Sequence, residues 1–482
     1  MGERALSHPM PSGHGQEAGH QVGDRDVVMH HDPEGRIVEI EIEHAFRSRS
    51  SWRVGAGESA CRSPVTTPPP TERSRQRPPH PHARPPAQPV PDRRRPAPIR
   101  TDGSNPFARR SMAERLPRIL QDTIDRNPDY PASVSDRFRR LRDEIAGDAP
   151  LRAPERPAPD YDLWQRRFAP HAGETWLDTE WFFSETLAYR LALQAGRYWT
   201  TRRDPFRPFK DEELASDAMW DALDSVLGAA ASDGTVRERL HAHLTGALWG
   251  NRMDQTIQAS MAQGTEAAGE HLLADDRSAA AEHLLTAEAP GAVHVLMDNA
   301  GTEEALDLAT AHFLLDEDLA REVVLHVKMQ PVLVSDATGR DVLRMLRAMA
   351  ERGGRPEALA DRLNGHLQTG RLRLAPDFFW STAGRLWELP PRLHGALAEA
   401  QLVIGKGDVN YRRATDDARW PAGTTLAEAT GEGFPAPLLS LRTIKSDTLV
   451  GVDPGTTERL DAKHGEDNWR TTGTYAVAQF AS

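Results

Sequence analysis

Val293-His294-Val295-Leu296-Met297, followed at once by Asp298-Asn299-Ala300-Gly301, is a strand-like apolar run that ends abruptly in a carboxylate and an amide. A second run, Val332-Leu333-Val334-Ser335, ends in the same way at Asp336. In open α/β sheets, functional groups gather just past the carboxyl ends of parallel strands, so two such tips can deliver both acids to one crevice. Hard oxygen ligands of this kind suit Mg²⁺ or Mn²⁺ and exclude metals that want thiolate. Each acid also has a plainer reading as a helix cap, because a helical pattern follows both turns. Gly301 permits a tight turn, and the free N–H groups of the helix start behind it favour an anion such as phosphate.

Outward from these turns, short apolar runs alternate with helical patterns from Glu288 onward. Strands are expected at 292–297, 323–327, 332–335, 372–374, 401–405, 438–441 and 448–452, with helices between several of them, such as 302–315 and 341–351. Continuous apolar strands imply a sheet covered on both faces. Upstream, from Ser111 to about Leu285, the periodicity is helical. Val134 to Ile145 reads as one such helix, and the aromatic group Trp164, Trp176, Trp181, Phe182, Phe183, Tyr189, Tyr198 and Trp199 reads as core. The expected architecture is α/β: a three-layer α/β/α domain with a mostly parallel sheet at 288–482, an α-helical domain at 112–287, and a disordered tail at 1–111.

The tail reading rests on composition. From Pro64 to Pro98 there are 13 prolines with arginines interspersed, which cannot bury enough apolar surface to offset chain entropy. One alternating stretch, Arg36 to Glu43, has strand character but no evident sheet to join. Met112 opens the helical pattern and is a second candidate start.

Charge and cysteine content exclude several classes. The 482-residue chain has net charge -12, but its first 110 residues carry 17 Lys and Arg against 13 Asp and Glu, leaving -16 on the remainder. So acidic a body is a poor binder of nucleic acid. The lone Cys61 can build neither a disulfide framework nor a cysteine zinc site within one chain, which fits a reducing cytoplasm. No signal-peptide core or membrane-length apolar run is present.

Two more segments carry chemistry. In Lys406-Gly407-Asp408-Val409-Asn410-Tyr411-Arg412 a strand ends among glycines and polar side chains. Lys406 and Arg412 can neutralise phosphate oxygens, while Asp408 and Asn410 can bind a metal, a water or sugar hydroxyls. It is no P-loop, because the glycine spacing and the Lys-Ser/Thr ending are absent. Arg442-Thr443-Ile444-Lys445 closes another strand with two cations.

Taken in order, Asp298 to Glu303, Val334-Ser335-Asp336, Lys406 to Arg412 and Arg442 to Lys445 resemble the damage-control phosphatase family, in its acidic-residue-methyltransferase-like branch. Trp181 to Thr186, Asp204-Pro205-Phe206 and Leu248-Trp249-Gly250-Asn251 resemble that branch's helical domain. The resemblance runs from about Met112 to about Gly451, and the long N-terminal tail lies outside it. Thr302 stands where an aromatic is more usual, and Gln255-Thr256 follows Asp254 in place of Leu-Ser.

The resemblance implies a metal-dependent phosphatase of small phosphorylated metabolites, including sugar phosphates such as fructose 1-phosphate, using Mn²⁺, Co²⁺, Ni²⁺ or Mg²⁺. Its metal ligands fall on Asp298, Asn299 and Asp336, and its substrate loop on Asp408 to Arg412, including Asn410 and Tyr411. The signature lysine falls on Lys445. Asp298, Asp336 and Lys445 are the expected catalytic residues, with Asp298, Asn299 and Lys406 also facing substrate. The rival activity attached to the branch is S-adenosylmethionine-dependent methylation of protein carboxylates. Against it, no Gly-rich cofactor turn with a downstream ribose-binding acid follows the first strand of the α/β part. A noncatalytic sugar-phosphate-binding module is the third reading.

Overall fold

The computed structural model describes residues 27–31, 37–42, 95–230, 233–250, 271–465 and 469–482. It divides into two units, Met1–Pro78 and Pro79–Ser482. In the first, β1 (Val27–His31) and β2 (Ile37–Ile42) form an antiparallel hairpin, so the alternating stretch does have a partner strand. Cys61 and the Pro-rich run up to residue 94 lie outside the described residues, as do Asn251 and Asp254-Gln255-Thr256.

The second unit is built on a seven-stranded sheet. Its strands are β3 (Leu272–Asp275), β4 (Ala292–Leu296), β5 (Glu322–His326), β6 (Leu372–Leu374), β7 (Ala400–Lys406), β8 (Leu438–Thr443) and β9 (Ala476–Ala481). They lie in the order β3-β9-β8-β7-β4-β5-β6. The five from β8 to β6 are parallel, whereas β9 runs antiparallel to β8 with β3 parallel beside it. From β4 the chain steps one way to β5 and β6, and later the other way to β7 and β8. The strand order therefore reverses between β4 and β7, and that crevice is where ligands collect in such sheets.

Both faces are covered, as the continuous apolar strands require. Val293 and Val295 pack with helices including Thr302–Asp316, Gly339–Arg352 and Gly354–Thr369 on one face. Leu296 and Val403 pack on the other with Phe379, Trp380, Tyr411 and Trp469. A separate helical cluster holds Trp164, Trp176, Trp181, Phe183 and Tyr189, the aromatic group read as core. The helix read from Val134 to Ile145 spans Ala132–Ala146. Among the described residues no helix is long and apolar enough to cross a membrane.

Two expected strands are not strands. Val332 to Ser335 is a loop, because Leu333 (φ 50°) and Val334 (φ 62°) both adopt left-handed backbone, which breaks any pleat. Val332 buries itself in the helical cluster instead. At 448–452, side chains occupy the backbone groups that a neighbouring strand would take. Arg442 donates to Thr448 O at 2.6 Å, Tyr411 accepts from Val450 N at 3.0 Å, and Gln479 donates to Val450 O at 2.7 Å. Two strands escaped the reading: β9, whose alanines carry little strand preference, and β3, a four-residue edge upstream of residue 288.

The folded body also reaches upstream of Met112. Ile99 and Thr101 are buried, with Ile99 N donating to Asp417 O and Thr101 N to Thr179 O. The Asn105 side chain caps the helix Pro106–Arg110 and donates to buried Asp447.

Candidate active site at the strand switch point

Asp298 follows β4, and Asp336 ends the loop that leaves β5. Backbone pairing fixes the two turns to each other: Ala337 N donates to Asp298 O at 2.8 Å and Ala300 N to Ser335 O at 2.7 Å. Neither acid is a helix cap. The helix Thr302–Asp316 starts from Gly301 with no side-chain cap, and Gly339–Arg352 is capped by Thr338 in a capping box with Asp341. Both acids are thus released from the structural duty their positions suggested.

The expected phosphate position at the helix start is filled by the protein itself. Glu213 Oε1 accepts from Thr302 N at 2.8 Å, and a Cβ on Gly301 would stand 2.3 Å from the Glu213 carboxyl carbon. On the same helix as Glu213, buried Lys210 donates to Asp336 O at 2.9 Å and to Asp341 Oδ2 at 2.7 Å. The helical region therefore braces both acidic turns.

Asp298 and Asp336 are buried, and Asp298 Oδ1 and Asp336 Oδ2 accept no hydrogen bond among the described residues. Lys328, itself buried, stands between them, with Nζ 3.4 Å from Asp336 Oδ2 and 3.8 Å from Asp298 Oδ1. Its hydrogen bonds go instead to the carbonyls of Met297 and Asp298. Burial, and then buried Glu303, hold the Asp298 carboxyl well above the usual carboxylate range. Burial also raises Asp336, against the pull of Lys328.

These features fit a hard divalent cation: two unsatisfied buried carboxylate oxygens and a third acid nearby, with a single ammonium between the pair. Asn299 fits less directly. Its Nδ2 donates to Asp298 Oδ2 at 3.2 Å and Glu303 Oε1 at 3.0 Å, while its Oδ1 accepts from Ser335 Oγ at 2.6 Å. To serve as a ligand, that carbonyl has to turn from Ser335 toward the acids. Gly407, across the crevice, has φ 74°, and a Cβ there would fall 1.8 Å from Asp298 Oδ2. Glycine is what lets the β7 turn close over the acid.

The other tip is arranged differently. Lys406 pairs with Asp307 at 3.0 Å and donates to Ala247 O. Asp408 Oδ1 accepts from Arg442 Nε at 2.8 Å, Lys445 N at 3.2 Å and Ser446 Oγ at 3.1 Å. Burial pushes the Asp408 carboxyl up, but Arg442 and Arg412 outweigh it and hold it below its ordinary value. Asn410 donates to the carbonyls of Leu296 and Lys406, and Tyr411 to Gln479 Oε1 at 3.0 Å. Arg412 bonds Asp417 through two nitrogens at 2.7 and 3.0 Å and Glu185 at 2.7 Å, beneath Trp181 and Phe182. The Trp181 to Thr186 motif thus meets the Asp408 to Arg412 motif at Arg412.

Lys445 is half-buried, its ammonium makes no hydrogen bond or ion pair among the described residues, and its charge lowers Asp298. Sequence reasoning assigned no role to Lys328, Glu303 or Arg413. Lys328 was visible as a cation at the tip of the strand beside β4, two residues past His326. Glu303 lies one turn beyond Asn299. Arg413 carried no signal apart from Arg412: it is buried, donates to the carbonyls of Gly384 and Trp380 at 2.8 Å each, and its charge lowers Asp336.

Proteins named damage-control phosphatase ARMT1 are 28% identical in Xenopus tropicalis (80% of this chain, 98% of that protein). In Bos taurus the identity is 26% (78% and 96%), and in Homo sapiens 25% (78% and 96%). A crystal structure of a DUF89 family protein from Pyrococcus horikoshii aligns with TM-score 0.42 and 14% identity, covering 78% of this chain and 97% of that one. Residues 111–460 match the damage-control phosphatase ARMT1-like domain, and with that match the chain belongs to the damage-control phosphatase ARMT1-like family.

Proposed function

We propose that this chain is a divalent-metal-dependent phosphatase of small phosphorylated metabolites, with sugar phosphates such as fructose 1-phosphate as its substrate class. The family supports phosphatase activity. The observation that carries the metal reading is the pair of buried oxygens without a hydrogen bond among the described residues, Asp298 Oδ1 and Asp336 Oδ2, at the strand switch point. Asp298 and Asp336, with Asn299 turned toward them, would hold Mn²⁺, Co²⁺, Ni²⁺ or Mg²⁺. A bound divalent ion supplies Lewis-acid polarisation of the phosphoryl group and a water of lowered pKa.

The chain's own groups then have distinct tasks. Lys445, whose ammonium has no partner among the described residues, offers it to a phosphoryl oxygen, adding charge stabilisation where negative charge develops. Asp408 positions that lysine by accepting from its backbone N–H, and Arg442 fixes Asp408. Lys328 stands between the two acids, its Nζ 3.8 Å from Asp298 Oδ1 and 3.4 Å from Asp336 Oδ2. Lys406, Asn410, Tyr411 and Arg412 shape the wall of the crevice through the bonds already given. The lone cysteine supports a cytoplasmic setting.

A screen for phosphate release over phosphometabolites, with each of the four ions, tests this on wild type and Asp298→Ala. Release in the wild type and its loss in the variant are expected. Equal release from both proteins overturns the site, and S-adenosylmethionine-dependent methyl transfer untouched by Asp336→Ala overturns the reaction.

A further inference from the structure

A second group of ligand-type side chains lies between two helices on one face of the sheet, away from the strand tips. His312 and Asp316 stand four residues apart near the end of the helix Thr302–Asp316, and His366 comes from the helix Gly354–Thr369 packed against it. One ligand atom from each of the three lies within 4.8 Å of the others. Side chains at i and i+4 share one face of a helix, the spacing by which paired ligands grip a metal from a helical scaffold. Ligands around Zn²⁺ at about 2.0–2.1 Å are about 3.3 Å apart in a tetrahedron, so closure needs side-chain rotations that draw the atoms together by at most about 1.5 Å.

The two imidazoles carry the second observation. His312 Nδ1 and His366 Nε2 are buried from water and have no hydrogen-bond partner among the described residues. Their rings lie 5.8 Å apart between centroids. Asp316 is exposed, and its one ion pair there, to Arg362, is loose at 3.7 Å, leaving the carboxylate available.

We infer that His312, Asp316 and His366 form a second metal site, an N₂O set for Zn²⁺ with water completing the shell, that clamps the helices Thr302–Asp316 and Gly354–Thr369 together. Imidazole nitrogen distinguishes it from the all-oxygen set at Asp298 and Asp336, so the two sites should sort ions differently: Mg²⁺ to the strand tips, Zn²⁺ to the helices. The helix it would clamp begins directly behind the Asp298 turn, about 15 Å away along its axis at 1.5 Å per residue. The inference does not depend on the proposed phosphatase activity.

The test is Zn²⁺ binding to the full chain, measured by competition with a chromophoric chelator, together with Co²⁺ absorption in place of Zn²⁺. Wild type, the double variant His312→Gln/His366→Gln and Asp298→Asn/Asp336→Asn are compared in saturating Mg²⁺. The first double variant should lose at least about tenfold in Zn²⁺ affinity and the intense visible Co²⁺ bands of a tetrahedral site. The second should keep both. Thermal unfolding in Zn²⁺ supplies a further readout, with a rise in midpoint for wild type that the histidine variant lacks. Unchanged Zn²⁺ affinity and Co²⁺ spectrum in the histidine variant overturn the site, and so does their loss in the strand-tip variant alone.

Discussion

The turns after β4 and after β7 face each other across one crevice, and both are dense in polar side chains, yet they are built on opposite plans. After β7, Lys406, Asp408, Asn410, Tyr411 and Arg412 all have partners, most of them buried. Across from them Asp298, after β4, and Asp336, from the loop after β5, are both buried; each leaves an oxygen unbonded among the described residues, and one ammonium stands between them. A satisfied polar network rigidifies a fold, whereas an unsatisfied one keeps its free energy for a ligand. On the function proposed above, one tip is frame and the other is working surface, although their sequences look equally functional.

The sharpest way to break that comparison is to delete one side chain from each tip. Asp298→Ala should lower kcat/KM for a phosphorylated metabolite by roughly 10³-fold or more, because the carboxylate proposed to hold the metal is lost. Circular dichroism and the denaturant midpoint should show a folded protein. Arg412→Ala should do the reverse, removing about 3–5 kcal/mol of stability, since buried Asp417 loses its partner and Glu185 keeps only Arg115. Urea unfolding reads that loss directly. An Arg412 variant of normal stability but abolished turnover would move Arg412 from frame to working surface.

How much of this contrast could be read from the chain depended on the range of the forces involved. Strands β4 to β8 announced themselves through local apolar runs, and the two acids through their place at the ends of such runs. The satisfaction of Arg412 depends on Glu185, more than two hundred residues earlier, and no local pattern encodes it. The Val332 to Ser335 run misled for a related reason: its apolar residues face the helical cluster, and hydrophobicity alone does not say which core a segment will join. Gly407 shows the same limit, since the need for glycine there comes from Asp298 across the crevice.

Lys445 sharpens the comparison, because it borders both tips. Its backbone belongs to the frame, bonded to Asp408, while its ammonium has no partner among the described residues. Lys445→Ala should therefore cost about 10- to 100-fold in kcat/KM while stability changes by less than about 0.5 kcal/mol. Asp408→Asn should lower activity through the misplaced lysine and destabilise as well, because Arg442 and Arg412 lose the carboxylate they neutralise. Steady-state kinetics beside thermal melts separates the two patterns, and a large stability loss in Lys445→Ala would place its side chain in the frame.

The smallest effect is the most diagnostic, because its sign differs between the tips. Burial and Glu303 hold the Asp298 carboxyl above its unfolded value, so without metal the folded chain binds that proton more tightly than the unfolded chain does. The resulting stabilisation is complete below the unfolded pKa of about 3.9 and is lost as pH rises toward the folded value. Asp298→Asn removes the ionisation and leaves Lys328 facing Asp336 alone. In chelator the variant should be more stable than wild type by about 1–3 kcal/mol at pH 8, with the gap closing toward pH 4. Asp408, held below its ordinary value by Arg442 and Arg412, has the opposite linkage, so Asp408→Asn should destabilise at pH 8. Guanidinium unfolding of both variants across pH reads the two signs. If Asp298→Asn also destabilises at pH 8, the β4 carboxylate is as well satisfied as the β7 one, and the division of the crevice into frame and working surface fails.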